Sequence, residues 1–367
     1  MNDKLRLKAS RAIESVASTV IAIVSALIMG FLVMFAFNPE NALPAFAELL
    51  SGGASLGLKG IGQVLYYTAP YIILGVSASF SFQTGIFNMG INGQFAIGSM
   101  VAVLIAGLGT GIPFSVRWIV AIAAAALAGM LWAIVPGVLK AYWGASEVVP
   151  GIMMNYISTY LCNEIITNYY YQPITTSSKY IPADAVLPSM GFDKLFPGSN
   201  ASSALIIALF VVVIVYIIIY KTTFGYGLRA SGKNLQAARY AGVAEKKNIM
   251  LVMLIGGLLA GFAGGVFFLS STTKTIVISD RASSDAAYAI PIALLAGKNP
   301  IGVIFVAFFM AWITVGGTMI QSYGFPTETV TMLTSIIFYF SALSFLTLKL
   351  LEHWKMKKNL SRIKEGN

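Results

Sequence analysis

The sequence predicts an all-α, polytopic integral membrane protein, and three observations carry that expectation. Hydrophobic residues make up 57% of the 367 and charged residues only 10%, against roughly 25% charge in soluble domains. The apolar residues fall in runs of about 20, the length a helix needs to cross the hydrocarbon core, and the mean hydropathy is +0.79. The Lys and Arg residues lie between those runs and not in one basic domain, so the net charge of +10 reads as membrane topology beside lipid and not as a nucleic-acid surface.

Runs of that length, bounded by charges and Gly/Pro clusters, give about ten segments: residues 16–37, 63–82, 87–108, 118–139, 148–166, 203–220, 249–270, 288–297, 300–320 and 329–350. The first follows Lys4, Arg6, Lys8 and Arg11, and its apolar run exceeds the roughly 7–15 residues of a signal peptide. It is expected to be a retained anchor with the N-terminus inside. Alternation from there leaves Lys59, Arg117, Lys179, Lys194, Lys274 and Arg281 outside and the rest of the 24 Lys and Arg inside, the bias that the positive-inside rule describes. Both termini are therefore expected on the cytoplasmic side of a bacterial cell membrane, as residues 1–15 and a basic tail, 351–367.

The eighth segment is too short to span and reads as a re-entrant half-helix, or as a helix with less apolar flanks. Tyr66, Tyr67, Trp118, Tyr142, Trp143, Tyr169, Tyr170 and Tyr171 fall near segment ends, where amphipathic rings favour the headgroup layer. Two loops stand out, an outside one over 167–202 and a basic inside one over 221–248. No detached soluble domain is visible, so the whole chain, 1–367, reads as one membrane domain.

The composition excludes a soluble globular protein and argues against thiol chemistry and His-based metal catalysis. One Cys (Cys162) and one His (His353) cannot make a disulfide or a zinc site of about four ligands. There is no HExxH, no Asp pair in facing spans and no His to serve a Ser nucleophile. No catalytic residue, metal ligand or cofactor is expected. Glu164, the acid nearest a span, reads as snorkelling or hydrogen-bonded. The stretch 227–234, GLRASGKN, imitates a P-loop, but Asn234 stands where Ser or Thr must hold magnesium and no strand precedes it. If ATP drives this protein, another chain hydrolyses it.

Two apolar segments are interrupted. In GIFNMGINGQFAIG, 85–98, glycines break a run that also carries Asn88, Asn92 and Gln94; in SSDAAYAIPIALLAGKNPIG, 283–302, Asp285, Pro291, Gly297 and Pro300 do so. Freed backbone at membrane depth survives only when packed in protein or lining a wet cavity. Each interruption falls in the third element of a five-element half. Halves with an odd number of crossings are inverted, and matched broken segments in inverted halves point to a transport site. Asn88, Asn92, Gln94, Asp285 and Asn155, an amide in another apolar span, are the candidate pathway residues. The alternatives are that the glycines allow close helix packing and that the amides bond one helix to another.

In the inside loop, Asn234 is placed to cap a short helix over 236–240 that Gly242 ends in a left-handed conformation. A capped helix on the cytoplasmic face suits docking into a groove of a partner protein; the alternative is a solvated basic loop near anionic lipid.

FGYGLRASGKNLQAARYAGV, GIFNMGINGQFAIG, VVPGIMMNYIS and IALLAGKNPIGV resemble the permease subunits of ABC importers in the branched-chain amino acid and sugar permease superfamily, and among these the nucleoside permeases served by basic-membrane-protein-type lipoproteins. The resemblance implies a second, homologous permease, a duplicated ATP-hydrolysing subunit and an external substrate-binding lipoprotein, with ATP used by the partner and no cofactor on this chain. It makes the loop helix a coupling helix, with Arg229, Asn234, Gln236, Arg239, Tyr240 and Gly242 as its contact residues. The cargo it implies is a nucleoside passed inward along the interface of two permeases. Two departures from the family pattern are visible: Asn92 stands where an acidic residue is usual, and the residues before Tyr288 are bulkier than a Gly-rich version. Within the class a sugar or a branched-chain amino acid is the other cargo; outside it, a secondary transporter and then a membrane enzyme.

Overall fold

Backbone groups in an apolar run have no water to bond, so such runs close their hydrogen bonds within helices. The computed structural model describes residues 2–109, 111–240, 242–280, 285–326 and 328–343. In chain order the helices are α1 (Asn2–Phe37), α2 (Pro39–Ser51), α3 (Gly57–Gln83), α4 (Ile91–Leu108), α5 (Phe114–Trp132), α6 (Ile134–Trp143), α7 (Val148–Tyr169), α8 (Phe192–Leu195), α9 (Ala204–Lys221), α10 (Thr223–Lys233), α11 (Leu235–Tyr240), α12 (Glu245–Leu269), α13 (Ala289–Leu295), α14 (Pro300–Met319) and α15 (Glu328–Leu343). Among the described residues seven helical stretches are long and apolar enough to cross a membrane. The helix α7 spans 22 residues but is not one of them, because Asn155, Asn163, Glu164 and Asn168 dilute its apolar content. The short α13 and the described part of α15 also fall below that length; residues 344–350 of the tenth segment and the tail after it lie outside the described residues.

The chain divides into two compact units. The first takes residues 1–52, 294–297 and 313 onward. Here α2 is an element that apolar run length does not reveal: the Asn38 side chain accepts from the Asn41 N–H at 3.3 Å and Pro39 opens the first turn. Within the same unit Thr19 donates to the Leu295 carbonyl at 2.8 Å, and Gly30 lies so close to Leu333 that a Cβ would stand 2.6 Å from its side chain.

The second unit holds 53–293 and 298–312. Its centre is α3, with 89% of its apolar window buried, against 33% for α9. Small residues bring α4, α5 and α12 together: a Cβ on Gly98 would lie 2.5 Å from the Gly261 Cα, and one on Gly261 would lie 2.3 Å from the Ala125 carbonyl. This is the close packing that glycines permit between apolar helices. Gly93 and Gly98 accordingly lie inside a continuous α4, and the first interruption is confined to residues 84–90. Past α12, residues 271–280 are irregular, and a short 3-10 turn (Asp285–Tyr288) leads directly into α13, so the second broken segment is broken in the structure as well. It runs along α3 in the same direction, with Tyr288 on Tyr71, Ile292 on Gly75 and the Lys298 carbonyl accepting from Ser79 at 2.6 Å.

The long loop after α7 folds into a two-stranded hairpin, β1 (Tyr171–Gln172) and β2 (Ser177–Ser178), paired antiparallel. It is stitched to the segment after α12 by Ser178 N–H to Ile276 O at 2.8 Å and Ile278 N–H to Thr176 O at 3.1 Å. This hairpin, with the isolated bridge from Ser177 to Val277, is the departure from an all-α chain among the described residues.

Candidate functional site

Three places in the second unit gather the polar groups of interest. The first is the turn joining α3 to α4. A buried turn must satisfy its own backbone, and the amides of this one do so. Asn88 Nδ2 donates to Gln94 Oε1 at 3.0 Å, Gln94 Nε2 returns a bond to Asn88 Oδ1 at 3.3 Å, and the Gly90 N–H also reaches Asn88 Oδ1 at 3.1 Å. Asn155, from α7, accepts from the Gly93 N–H at 2.7 Å and donates to the Met89 carbonyl at 2.9 Å. Three of the candidate amides therefore hold the turn in place, and Asn92, on the first turn of α4, stays half-exposed.

At the same turn the Phe87 N–H donates to Glu147 at 3.2 Å, and Lys140 lies 2.7 Å from the other carboxylate oxygen. Burial pushes the Glu147 carboxyl up, but hydrogen bonds from Lys140 and from the backbone of Glu147 and Phe87, with the Lys140 charge, outweigh it and hold the group below its ordinary 4.5. Glu164 lies on the exposed side of α7 and accepts from Asn168 at 2.7 Å.

The second place is the basic loop. Thr222 caps α10 by accepting from the Gly225 N–H at 3.0 Å. The stretch GLRASGKN is helix up to Lys233, so its amides are engaged in helix bonds and do not form the open cradle that phosphates require. Asn234 then accepts from the Ala237 N–H at 3.0 Å and caps α11. Beyond it Gly242 takes φ +80°, a conformation in which a side chain would be strained, and the Val243 N–H closes the turn on Ala238 O at 3.0 Å. Gln236 and Tyr240 face outward, Tyr240 at 95% exposure, and Arg239 belongs to the same six-residue helix.

This loop is locked to the α3–α4 turn. A Cβ on Gly232 would lie 2.5 Å from the Gln83 carbonyl and 3.0 Å from the Gly85 nitrogen. Gln83 Nε2 donates to the Tyr220 hydroxyl at 2.9 Å and to the Lys298 carbonyl at 2.8 Å, while the Arg229 guanidinium covers the Tyr220 ring at 5.0 Å. A cavity of about 650 Å³ opens between the turn, the end of α6, α10 and the start of α12, with Lys140, Trp143, Lys233 and Lys246 in its wall.

The third place is one that run length and motif do not reveal. Tyr66 and Tyr67 pack inward: Tyr66 is 3% exposed and its ring lies 5.6 Å from Phe267. Tyr67 approaches Tyr71 and Phe267 at about 6 Å, and Tyr71 stacks on Tyr288 at 4.6 Å. At the edge Lys274 lies 3.5 Å from Asp285 and 4.4 Å above the Phe267 ring. The signal available in the sequence was the i, i+4 spacing of Tyr67 and Tyr71 on one helix face. Among the described residues no cluster of His, Cys, Asp and Glu is arranged to hold a metal.

Residues 60–342 match the family model described as branched-chain amino acid transport system, permease component. The chain is 35% identical over 78% of its length to the guanosine ABC transporter permease protein NupP of Bacillus subtilis, covering 81% of that protein. It is 31% identical over 94% of its length to the nucleoside ABC transporter permease protein NupB of Lactococcus lactis, covering 93%, and 26% identical over 93% to the glucose ABC transporter permease protein TsgB13 of Haloferax volcanii, covering 91%. No solved structure matches it. With these matches and seven membrane-length apolar stretches among the described residues, the chain is a multi-pass membrane transport component and not an enzyme, and it belongs to the permease component family of the branched-chain amino acid transport system.

Proposed function

We propose that this chain is the permease subunit of an ATP-driven ABC importer that carries nucleosides inward across the cytoplasmic membrane. The observation that carries this reading is the identity of 31–35% over most of the chain to permeases of guanosine and of nucleosides; the glucose permease stands at 26%.

On this reading ten segments cross or enter the membrane in two inverted halves of five, both termini are cytoplasmic, and the hairpin loop after α7 faces outward. A second permease, an ATPase subunit and an external binding lipoprotein complete the transporter, and ATP is used on the ATPase. The capped helix α11 docks on that ATPase through Gln236, Arg239 and Tyr240, with Asn234 and Gly242 fixing its ends. Arg229, on α10, ties the docking loop to Tyr220. Asn92 and Asp285 face the path, and Asn88, Gln94 and Asn155 shape it by holding the turn before α4.

Uptake of labelled guanosine, uridine and glucose into cells with and without this chain tests the reading. The expected result is that nucleoside uptake is lost on deletion, is restored by the intact chain and is not restored by a chain lacking residues 234–242. Loss of glucose uptake alone would move the cargo to a sugar, and uptake that persists when ATP hydrolysis is blocked would make the chain a secondary transporter.

A further inference from the structure

Five aromatic rings meet where α3, α12 and the turn before α13 come together: Tyr66, Tyr67 and Tyr71 from α3, Phe267 from α12 and Tyr288. Packing alone accounts for the rings but not for the ions among them. Lys274 and Asp285 form a pair at 3.5 Å with only about a quarter of each side chain exposed. Withdrawing two charges from water is costly unless something else is gained, and ionisable groups beside apolar spans mark substrate paths.

The rings are not equivalent. Tyr71 is 1% exposed and backs Tyr288 by stacking at 4.6 Å with 28° between the planes, whereas Tyr67 and Tyr288 are half-buried and retain accessible surface. Asp285 opens the same 3-10 turn that ends in Tyr288, so a carboxylate stands one short turn from an aromatic face. A flat heteroaromatic ring stacks on tyrosine, and a carboxylate accepts bonds from two adjacent hydroxyls. A ring joined to a sugar with neighbouring hydroxyls meets both requirements.

We propose that Tyr67 and Tyr288 form the stacking face, and Asp285 the hydroxyl acceptor, of a ribonucleoside-binding site within this permease. The assignment rests on the nucleoside reading above and deepens it. Tyr71 is a positioning residue that fixes the Tyr288 ring from behind. Lys274 pairs with Asp285 at 3.5 Å, and its ammonium stands over the Phe267 and Phe268 rings.

The test uses the assembled transporter in proteoliposomes, photolabelled with 8-azidoguanosine and mapped by mass spectrometry, alongside turnover at equal, sub-saturating concentrations of guanosine and 2′,3′-dideoxyguanosine. Labelling is expected on the peptides that carry Tyr67 or Tyr288 and is suppressed by excess guanosine. Tyr288→Leu should lower guanosine turnover about ten-fold, the scale of one lost base–aromatic stack, while Tyr288→Phe keeps it. Asp285→Asn should erase the preference for guanosine over the dideoxy compound. Guanosine transport with labelling confined to other peptides would overturn the site and leave the nucleoside reading standing, as would an unchanged preference in Asp285→Asn. A wild-type transporter that moves glucose and not guanosine would overturn both. The labelling arm uses the unaltered chain, so a variant that fails to fold does not protect the proposal.

Discussion

Replacing Gly232 with Ala places one methyl group between α10 and the turn that follows α3. Its Cβ would stand 2.5 Å from the Gln83 carbonyl oxygen, 2.8 Å from the Thr84 carbonyl carbon and 3.0 Å from the Gly85 nitrogen. All three are backbone atoms and none can rotate away. Ordinary contact begins at 3.4 Å, so α10 must withdraw by close to 1 Å. Forcing a methyl into a packed contact costs about 1–3 kcal/mol, and the better helix propensity of Ala returns up to about 1 kcal/mol. The net loss of about 0–3 kcal/mol leaves a folded protein whose basic loop is displaced from the turn held by Asn88 and Asn155.

The assay measures three quantities on the assembled transporter: yield of folded complex, substrate-stimulated ATP hydrolysis and nucleoside uptake. Yield should stay near wild type while hydrolysis and uptake fall together several-fold. Gly227→Ala is the control on the same helix, because its Cβ would meet nothing nearer than Asn248 at 4.0 Å. Wild-type uptake in Gly232→Ala, or an equal loss in Gly227→Ala, would show that transport does not depend on the packing of α10 against this turn.

Asn155→Leu leaves the Gly93 N–H and the Met89 carbonyl without their partner, about 1–3 kcal/mol for each buried group. Thermal stability should drop sharply while Asn92→Leu, at a half-exposed position, keeps stability and loses uptake; the reverse pattern would exchange their roles. The Glu147 carboxyl, held below 4.5 in the fold, contributes stability that is present above the ordinary carboxylate value and is lost as pH falls through the lowered one. Melting followed from pH 6 to 3 should therefore steepen downward below about pH 4.5 in the wild type, and less in Glu147→Gln; parallel curves would deny the carboxylate that role.

How much of this was legible beforehand follows the range of the forces involved. The spans announce themselves because a membrane demands about 20 apolar residues of any helix that crosses it, a demand met residue by residue. The cap of α11 was equally local: Asn234 and Gly242 act on backbone groups within a few positions, so their residue types suffice. The helix α10 escaped because its glycines argue against a helix, and only packing of Gly232 against the Gln83 carbonyl rewards them.

Run length could not say where the first interruption lies. Gly85, Gly90, Gly93 and Gly98 look alike in the sequence, yet Gly98 meets Gly261 on a helix more than 160 residues away, and Gly93 meets Asn155. Polar residue type likewise announced that Asn88, Gln94 and Asn155 matter, but an amide can face a cargo or another amide, and only the fold decides which partner lies within 3 Å. The aromatic and ionic cluster was the least legible part. Its members come from α3, from the end of α12 and from the turn before α13, separated by some 200 residues of chain. The sequence by itself determined that this chain is a polytopic membrane protein with a capped helix in one of its loops, since those properties rest on composition and on short-range hydrogen bonding. Tertiary structure alone decided which polar groups are spent on holding a turn and which remain open to a ligand, because that depends on how three helices pack and which side chains they leave facing one another.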